Sequence, residues 1–182
     1  MRSFVAIDID NDIKNIYSNL CRDIRKAAVL NIVNQNKFHI TLSFFNNLTI
    51  DNVEKVKIAL TSLRLEPIEI RLDSLSMFKR RGEPSIIYIN SKSDKLSSFV
   101  DAYRKNLKKF NINFDEKPFK SHITIARIKE IKDVELFEKM YNKTCAFFEK
   151  QSFFASSITL YESDTLKYKP IFTISLNELT SC

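Results

Sequence analysis

Apolar and β-branched residues alternate or cluster in short runs at 3–9 (SFVAIDI), 37–45 (KFHITLSFF), 67–78 (PIEIRLDSLSMF) and 85–90 (SIIYIN). The same pattern returns at 121–128 (SHITIARI), 152–163 (SFFASSITLYES) and 170–176 (PIFTISL). Each run predicts a strand. Between them the apolar spacing lengthens to three and four residues, which predicts helices. Ile13, Ile16, Tyr17, Leu20 and Ile24 form one stripe, opened by Asp10 or Asn11 as cap. Val53, Val56, Leu60 and Leu63 follow Asp51. Leu96, Phe99, Val100, Tyr103 and Leu107 follow Ser93 or Asp94, and Val134, Phe137, Met140 and Tyr141 follow Asp133.

The order is β-α-β-α-β, twice, with one further strand. The two halves keep register. Asp10 and Ser93 lie 83 residues apart, Asp51 and Asp133 lie 82 apart, and LSMF (75–78) precedes ITLY (158–161) by 83. A shared offset across caps and strands implies an internal duplication. The expected architecture is α+β, one bilobal pseudo-symmetric domain over 1–182. The first repeat covers about 1–80 and the second about 84–177, with room for exchange of terminal strands. Two largely antiparallel sheets should face a central cleft, with helices outside.

Glycine occurs once, at Gly82, so other turns must use Asn, Asp, Ser and Pro. The segment FKRRGEPS (78–85) suits a hairpin turn. The formal charge of +7 favours a polyanionic partner such as nucleic acid, although a lysine-rich solvated surface gives the same number. Cys21, Cys145 and Cys182 are scattered and lack metal-ligand spacing, which reads as free thiols in a reducing compartment. No metal site or cofactor is expected. No run approaches the ~20 apolar residues that span a bilayer. A cytoplasmic monomer is the default expectation.

The only two histidines, His39 and His122, also lie 83 residues apart, and each stands in a His-Ile-Thr-(Leu/Ile) frame. On a strand, residues i and i+2 share a face. His39 therefore points with Thr41, and His122 with Thr124, while Ile40 and Ile123 point into the core. One such pair is weak evidence, since a histidine in a strand is often structural. Two at the repeat offset, holding every imidazole in the chain, indicate chemistry. One neutral imidazole takes a proton from water and one imidazolium gives a proton to a leaving oxygen. Threonine hydroxyls donate to phosphate oxygens. A phosphodiester flanked by acid and base fits this set.

Arg127 follows Thr124 by three, so strict alternation turns it away from His122. A bulge would re-aim it, and its fork would then clamp a phosphate. Lys79, Arg80 and Arg81 on the hairpin tip are candidate backbone contacts. Lys37 and Lys120 each precede a motif by two and add positive potential. Phe38, Phe44, Phe45 and Phe119 are candidates for stacking on a base, with Phe45 the one retained as a substrate contact.

The paired HITL and HITI resemble the two HxTx motifs of the 2H phosphoesterase superfamily. FVAIDI, FHITLSF, FKRRGEPSIIYI and PFKSHITIARI are similar to the RNA 2′,3′-cyclic phosphodiesterase branch, also called the 2′-5′ RNA ligase (LigT/ThpR) family. The resemblance covers nearly the whole chain. It implies a bilobal fold and hydrolysis of an RNA 2′,3′-cyclic phosphate end to a 2′-phosphate. It also implies His39 as proton donor, His122 as proton acceptor, Thr41 and Thr124 on the phosphate oxygens and Arg127 beside them. The reverse reaction would form a 2′-5′ linkage. The partner implied is RNA with a cyclic phosphate end, tRNA-like fragments included. The segment NIVNQNKFH departs from the family in lacking a tryptophan. Two other readings stay open: an RNA-end binding protein without turnover, and an enzyme acting on small cyclic nucleotides.

Overall fold

Strand-forming and helix-forming patterns alternate along the chain, and the computed structural model follows them over residues 1–64, 66–164 and 167–176, the part it describes. Cys182 and the expected repeat end at residue 177 lie outside the described residues. The elements run β1 (Ser3–Asp8), α1 (Asn11–Tyr17), β2 (Ala28–Ile32), β3 (His39–Phe45), α2 (Ile50–Thr61), β4 (Ile68–Arg80), β5 (Glu83–Lys92) and α3 (Asp94–Lys109). They continue with β6 (His122–Ile131), α4 (Val134–Ala146), β7 (Gln151–Ala155), β8 (Ser157–Ser163) and β9 (Tyr168–Ser175). The fold is α+β, as expected. Two sheets form, in the orders β3-β1-β8-β9 and β2-β6-β5-β4-β7. Every ladder is antiparallel.

Four strands of the larger sheet correspond in order to the four of the smaller, and β2 is an addition at its edge. The motif strand β3 pairs with β1, and the motif strand β6 pairs with β5. Each partner then pairs onward, to β8 or to β4. Each sheet draws strands from both halves of the sequence. The expected single strand over 152–163 is in fact two strands in different sheets. β7 pairs with β4, and β8, one residue later, pairs with β1. Ser156 is the crossing point, and its carbonyl accepts from Leu176 N–H at 2.7 Å. Periodicity cannot reveal such a switch, because both pieces read as strand.

The helices close one face of the sheets. In α3, Leu96, Val100, Tyr103 and Leu107 are fully buried, as the stripe requires. Ser93 and Asp133 cap α3 and α4, accepting from Leu96 N–H at 3.3 Å and Leu136 N–H at 2.9 Å. The first helix is shorter than its stripe predicts. It ends at Tyr17, where the Ser18 hydroxyl donates back to the Asn15 carbonyl at 2.9 Å. Ile24 still reaches the core, through a 3₁₀ turn at Ile24–Lys26. The sequence reading missed β2, a five-residue strand hidden behind that helical stripe. Its place at the sheet edge needs only one paired side.

The β4–β5 hairpin turns on Arg81 (φ 54°) and Gly82 (φ 89°). A two-residue connection of this kind needs positive φ at both centres, and the chain places its one glycine there.

Candidate active site

Each His-x-Thr strand is pleated for the first three residues and then interrupted. In β3 the pairing with β1 runs from Ala6↔Thr41 to Val5↔Ser43, so Leu42 is an extra residue. In β6 the pairing with β5 runs from Tyr88↔Thr124 to Ile87↔Ala126, so Ile125 is extra. Leu42 and Ile125 lie 83 residues apart, and the two strands thus carry matching β-bulges. A bulge turns the following side chains by one step of the pleat. Burial records the result. Leu42 with Ser43, and Ile125 with Ala126, are consecutive buried residues. Phe44 and Arg127 then return to the face that carries the motifs.

Hydrogen bonds to the extra residue hold each bulge, from outside the sheet on β3 and from the continuation of β2 on β6. The Leu42 carbonyl accepts from Arg104 Nε and Nη2 at 3.2 and 3.0 Å. The same guanidinium donates from Nη1 to the Lys117 carbonyl at 2.7 Å. Arg104 therefore ties the first motif strand to the segment leading into the second. Ser43 and Tyr103 share a buried hydroxyl contact at 3.1 Å. On the other strand, the Ile125 carbonyl accepts from Val33 N–H at 2.9 Å.

The imidazoles are held alike. His39 Nδ1 lies 2.7 Å from the Lys37 carbonyl, and His122 Nδ1 lies 2.6 Å from the Lys120 carbonyl. A carbonyl can only accept, so Nδ1 carries the proton in both rings. Nε2 is the remaining ring nitrogen, basic when the ring is neutral and acidic when it is charged. The two lysines expected to supply charge thus also orient the rings through their backbone. Aromatic walls fix the ring planes. Phe4 stacks on His39 at 4.8 Å and Tyr168 meets it edge-on at 5.5 Å. Phe78 and Tyr88 meet His122 edge-on at 5.0 and 5.3 Å.

The motifs border two cavities that share no lining residue: His39 lines one, Thr41 and His122 line the other, and Thr124 and Arg127 line neither. One of about 560 Å³ is lined by Thr41 and Phe44 from one sheet and by Phe78 and His122 from the other, with Arg104 and Phe119. A second, of about 240 Å³, lies beside His39, between Asp8, Lys37, Tyr161 and Tyr168. Among the described residues neither Thr41 nor Thr124 engages its hydroxyl with a protein partner.

Electrostatics separates the two rings. Burial pushes His39 below its ordinary value, the Lys37 carbonyl and the Asp8 carboxylate oppose that, and His122 and Arg127 add to the lowering. Burial also lowers His122, the Lys120 carbonyl opposes it, and the Lys120 ammonium lowers it further. Arg127 and His122 thus act on His39 across the cleft.

The remaining predicted contacts are distributed unevenly. Phe45 is a correction: it is fully buried, because the Leu42 bulge turns it into the core, and Phe44 occupies the cavity instead. Phe38 is also core, while Phe119 lines the cavity. Lys79 lies on the helix side of β4, sharing a pocket with Met77 and Phe137. Arg80 alternates back to the Phe78 face at the exposed hairpin tip, and Arg81 sits in the turn. Sequence reasoning missed Asp8, Phe78, Tyr88, Arg104, Tyr161 and Tyr168. For Asp8 a signal existed: it is the one charge in the alternating run SFVAIDI.

Cys21 and Cys145 are free thiols. Burial pushes the Cys21 thiol up to about 12, which leaves it unreactive. Among the described residues no three His, Cys, Asp or Glu side chains gather as a metal site, and no helix is long and apolar enough to cross a membrane.

A family model described as the AKAP7 2′5′ RNA ligase-like domain matches residues 4–179. A protein of Archaeoglobus fulgidus named RNA 2′,3′-cyclic phosphodiesterase is 26% identical over 130 residues, covering 71% of this chain and 73% of its own. A protein of the same name from Aquifex aeolicus is 25% identical over 185 residues, 96% of this chain and 94% of its own. Among solved structures, TT0787 of Thermus thermophilus superposes with a TM-score of 0.79 at 18% identity, over 98% of this chain and 100% of that one. The structure of E. coli LigT complexed with NADP+ gives 0.71 at 17% identity, over 97% and 98%. These two share the fold.

Proposed function

The chain belongs to the AKAP7 2′5′ RNA ligase-like domain family, a 2H phosphoesterase family, and on that premise we propose that it opens RNA 2′,3′-cyclic phosphate ends. The product is a 2′-phosphate, and both proton transfers are made by imidazoles, without a metal ion. The relatives named RNA 2′,3′-cyclic phosphodiesterase support the reaction class. The observation that carries the reading is the matched pair of rings, each anchored at Nδ1 and each followed by a free threonine hydroxyl and a bulge.

His122, neutral, takes a proton from water on Nε2 as the water oxygen bonds to phosphorus. The bond from phosphorus to O3′ breaks on the opposite side. His39, charged, gives its Nε2 proton to O3′. Thr41 and Thr124 donate to the nonbridging oxygens, and the Arg127 guanidinium sits beside the developing charge. Both rings are depressed by burial in the free protein. The anionic phosphate of a bound substrate favours protonation, so the acid recovers its proton on binding. A 5′-hydroxyl in place of water would give a 2′-5′ linkage by the same transfers. Phe44 and Phe119 line the approach to the centre. Arg80 and the rest of the basic surface draw in the RNA backbone. We take the whole of 1–182 to work as one bilobal domain, a monomer in the cytoplasm.

The test is incubation of an RNA oligomer ending in a 2′,3′-cyclic phosphate with protein and EDTA. The expected product is a 2′-phosphate, formed by the wild type and not by His39→Ala or His122→Ala. A 3′-phosphate would reverse the leaving group, and binding without turnover would make the protein an RNA-end binder.

A further inference from the structure

The pseudo-symmetry that pairs the two histidines fails at the position directly across from each of them. On the neighbouring strand, Asp8 stands opposite His39 and Asn90 stands opposite His122. The two positions correspond, since each is the residue of β1 or β5 paired with the first residue of a motif strand. A carboxylate and its neutral amide isostere occupy equivalent places. Resting on the acid–base reading above, we propose that Asp8 is the positioning residue that makes the two histidines unequal, favouring the imidazolium at His39 so that it serves as proton donor, while Asn90 leaves His122 neutral to serve as base.

The Asp8 carboxylate is a built feature. Tyr161 Oη donates to its Oδ1 at 2.7 Å, and Thr159 Oγ1 lies 3.1 Å from its Oδ2. Thr159 is buried and is itself 3.0 Å from Thr173 Oγ1. Two hydroxyls of β8, one of them backed by β9, thus hold the carboxylate in the cavity that His39 lines. No cation in an ion pair within the described residues takes Asp8.

Among the described residues, charged and titratable groups reach His39 from several elements. From β1 comes Asp8. From the turn before β3 comes Lys37, whose ammonium lies 5.3 Å over the Tyr168 ring. Tyr161 of β8, Tyr168 of β9 and Lys167 just before it complete the near wall. From β6, His122 and Arg127 act across the cleft. Asp8 is the one anion in this set, and the cations all oppose a charge on His39. Around His122, the Lys120 ammonium lies 4.9 Å over Phe78 and 4.8 Å over Tyr88; Asp115, which lines the same cavity with Arg104, is paired with Lys117 at 2.9 Å, and among the described residues no carboxylate acts on the ring.

The experiment is an NMR titration of the whole chain, whose two histidines give two imidazole signals, assigned with His122→Gln. Three proteins are compared: wild type, Asp8→Asn and Asn90→Asp. Asp8→Asn keeps the shape and an acceptor for Tyr161 while removing the charge. The expected result is a fall of about one pH unit in the His39 midpoint, the scale for an opposite charge within a few ångströms, with His122 unmoved. Asn90→Asp should raise the His122 midpoint by a similar amount. In parallel, the alkaline limb of cyclic phosphate hydrolysis should move to lower pH in Asp8→Asn, by the same distance as the His39 signal. A structural role for Asp8 would change the rate at all pH values without moving that limb.

An unchanged His39 midpoint in Asp8→Asn overturns the proposal. Should that variant fail to fold, an unmoved His122 midpoint in Asn90→Asp overturns it equally. Wild-type protein that leaves the cyclic phosphate intact, yet shows both shifts, removes the reaction and keeps the coupling of Asp8 to His39.

Discussion

Replacing Arg104 with alanine should loosen both halves of the site at once. Its guanidinium makes three hydrogen bonds to two carbonyls, Leu42 in the first bulge and Lys117 in the approach to His122. The two bonds to Leu42 share one acceptor and are partly buried, so they count as one charge-assisted bond of about 1.5–3 kcal/mol. The Lys117 bond is exposed and contributes about 0–1 kcal/mol. Phe114 and Phe119, with ring centroids 5.6 and 5.9 Å from the cation, also lose a neighbour. The expected cost is about 1.5–4 kcal/mol, summed from those ranges. With an m-value near 2 kcal/mol/M in urea, the midpoint should fall by roughly 0.8–2 M. Arg104→Lys can satisfy one carbonyl and should recover less than half. The assay is urea unfolding followed by circular dichroism, with kcat measured on a cyclic phosphate substrate well below the midpoint. A loss under about 0.5 kcal/mol, within the range of an ordinary surface substitution, would refute the claim that Arg104 holds the bulge.

The two neighbouring phenylalanines should behave oppositely. Phe45→Ala should cost about 3–5 kcal/mol as a core truncation, whereas Phe44→Ala should leave the unfolding midpoint nearly unchanged and raise KM. Equal stability losses in thermal melts would contradict the bulge. Removing Arg127 should lower kcat/KM by about 10²–10³-fold, the scale for losing one donor to a developing anion, with partial recovery in Arg127→Lys. An effect confined to KM that disappears at low salt would place Arg127 outside the reacting centre. Stability should also depend on pH in two windows. Both histidines are depressed in the folded protein, so the unfolded chain binds protons first as pH drops below about 6.5. Stability is therefore full above that value and falls as pH passes down through the lowered folded values. Asp23, Glu66, Asp73 and Asp115 are lowered mainly by lysine partners, and their contribution is lost separately, below about pH 4. Urea midpoints from pH 8 to 3 should show both slopes, and the upper one should flatten in the double His→Gln variant.

The helix caps at Ser93 and Asp133, the stripe of α3 and the glycine turn at Gly82 were legible because each depends on a few adjacent residues. The same is true of the two His-x-Thr frames, since residues i and i+2 of a strand must share a face. Alternation failed at Arg127 and Phe45 for one reason. A bulge is a property of a strand pair, and it shows only when the partner's register skips a residue. It failed again at Ser156, where a single apolar run serves two sheets. The pairing of Asp8 with His39 and of Asn90 with His122 likewise requires knowing which strands are neighbours. The class of elements, the duplication and the pairing of His39 with Thr41 and of His122 with Thr124 on one face follow from local periodicity and repeated spacing, and so can be read without coordinates. Which residues join them depends on the folded chain, since strand order, bulges and the carboxylate beside one ring arise from contacts between segments far apart in sequence.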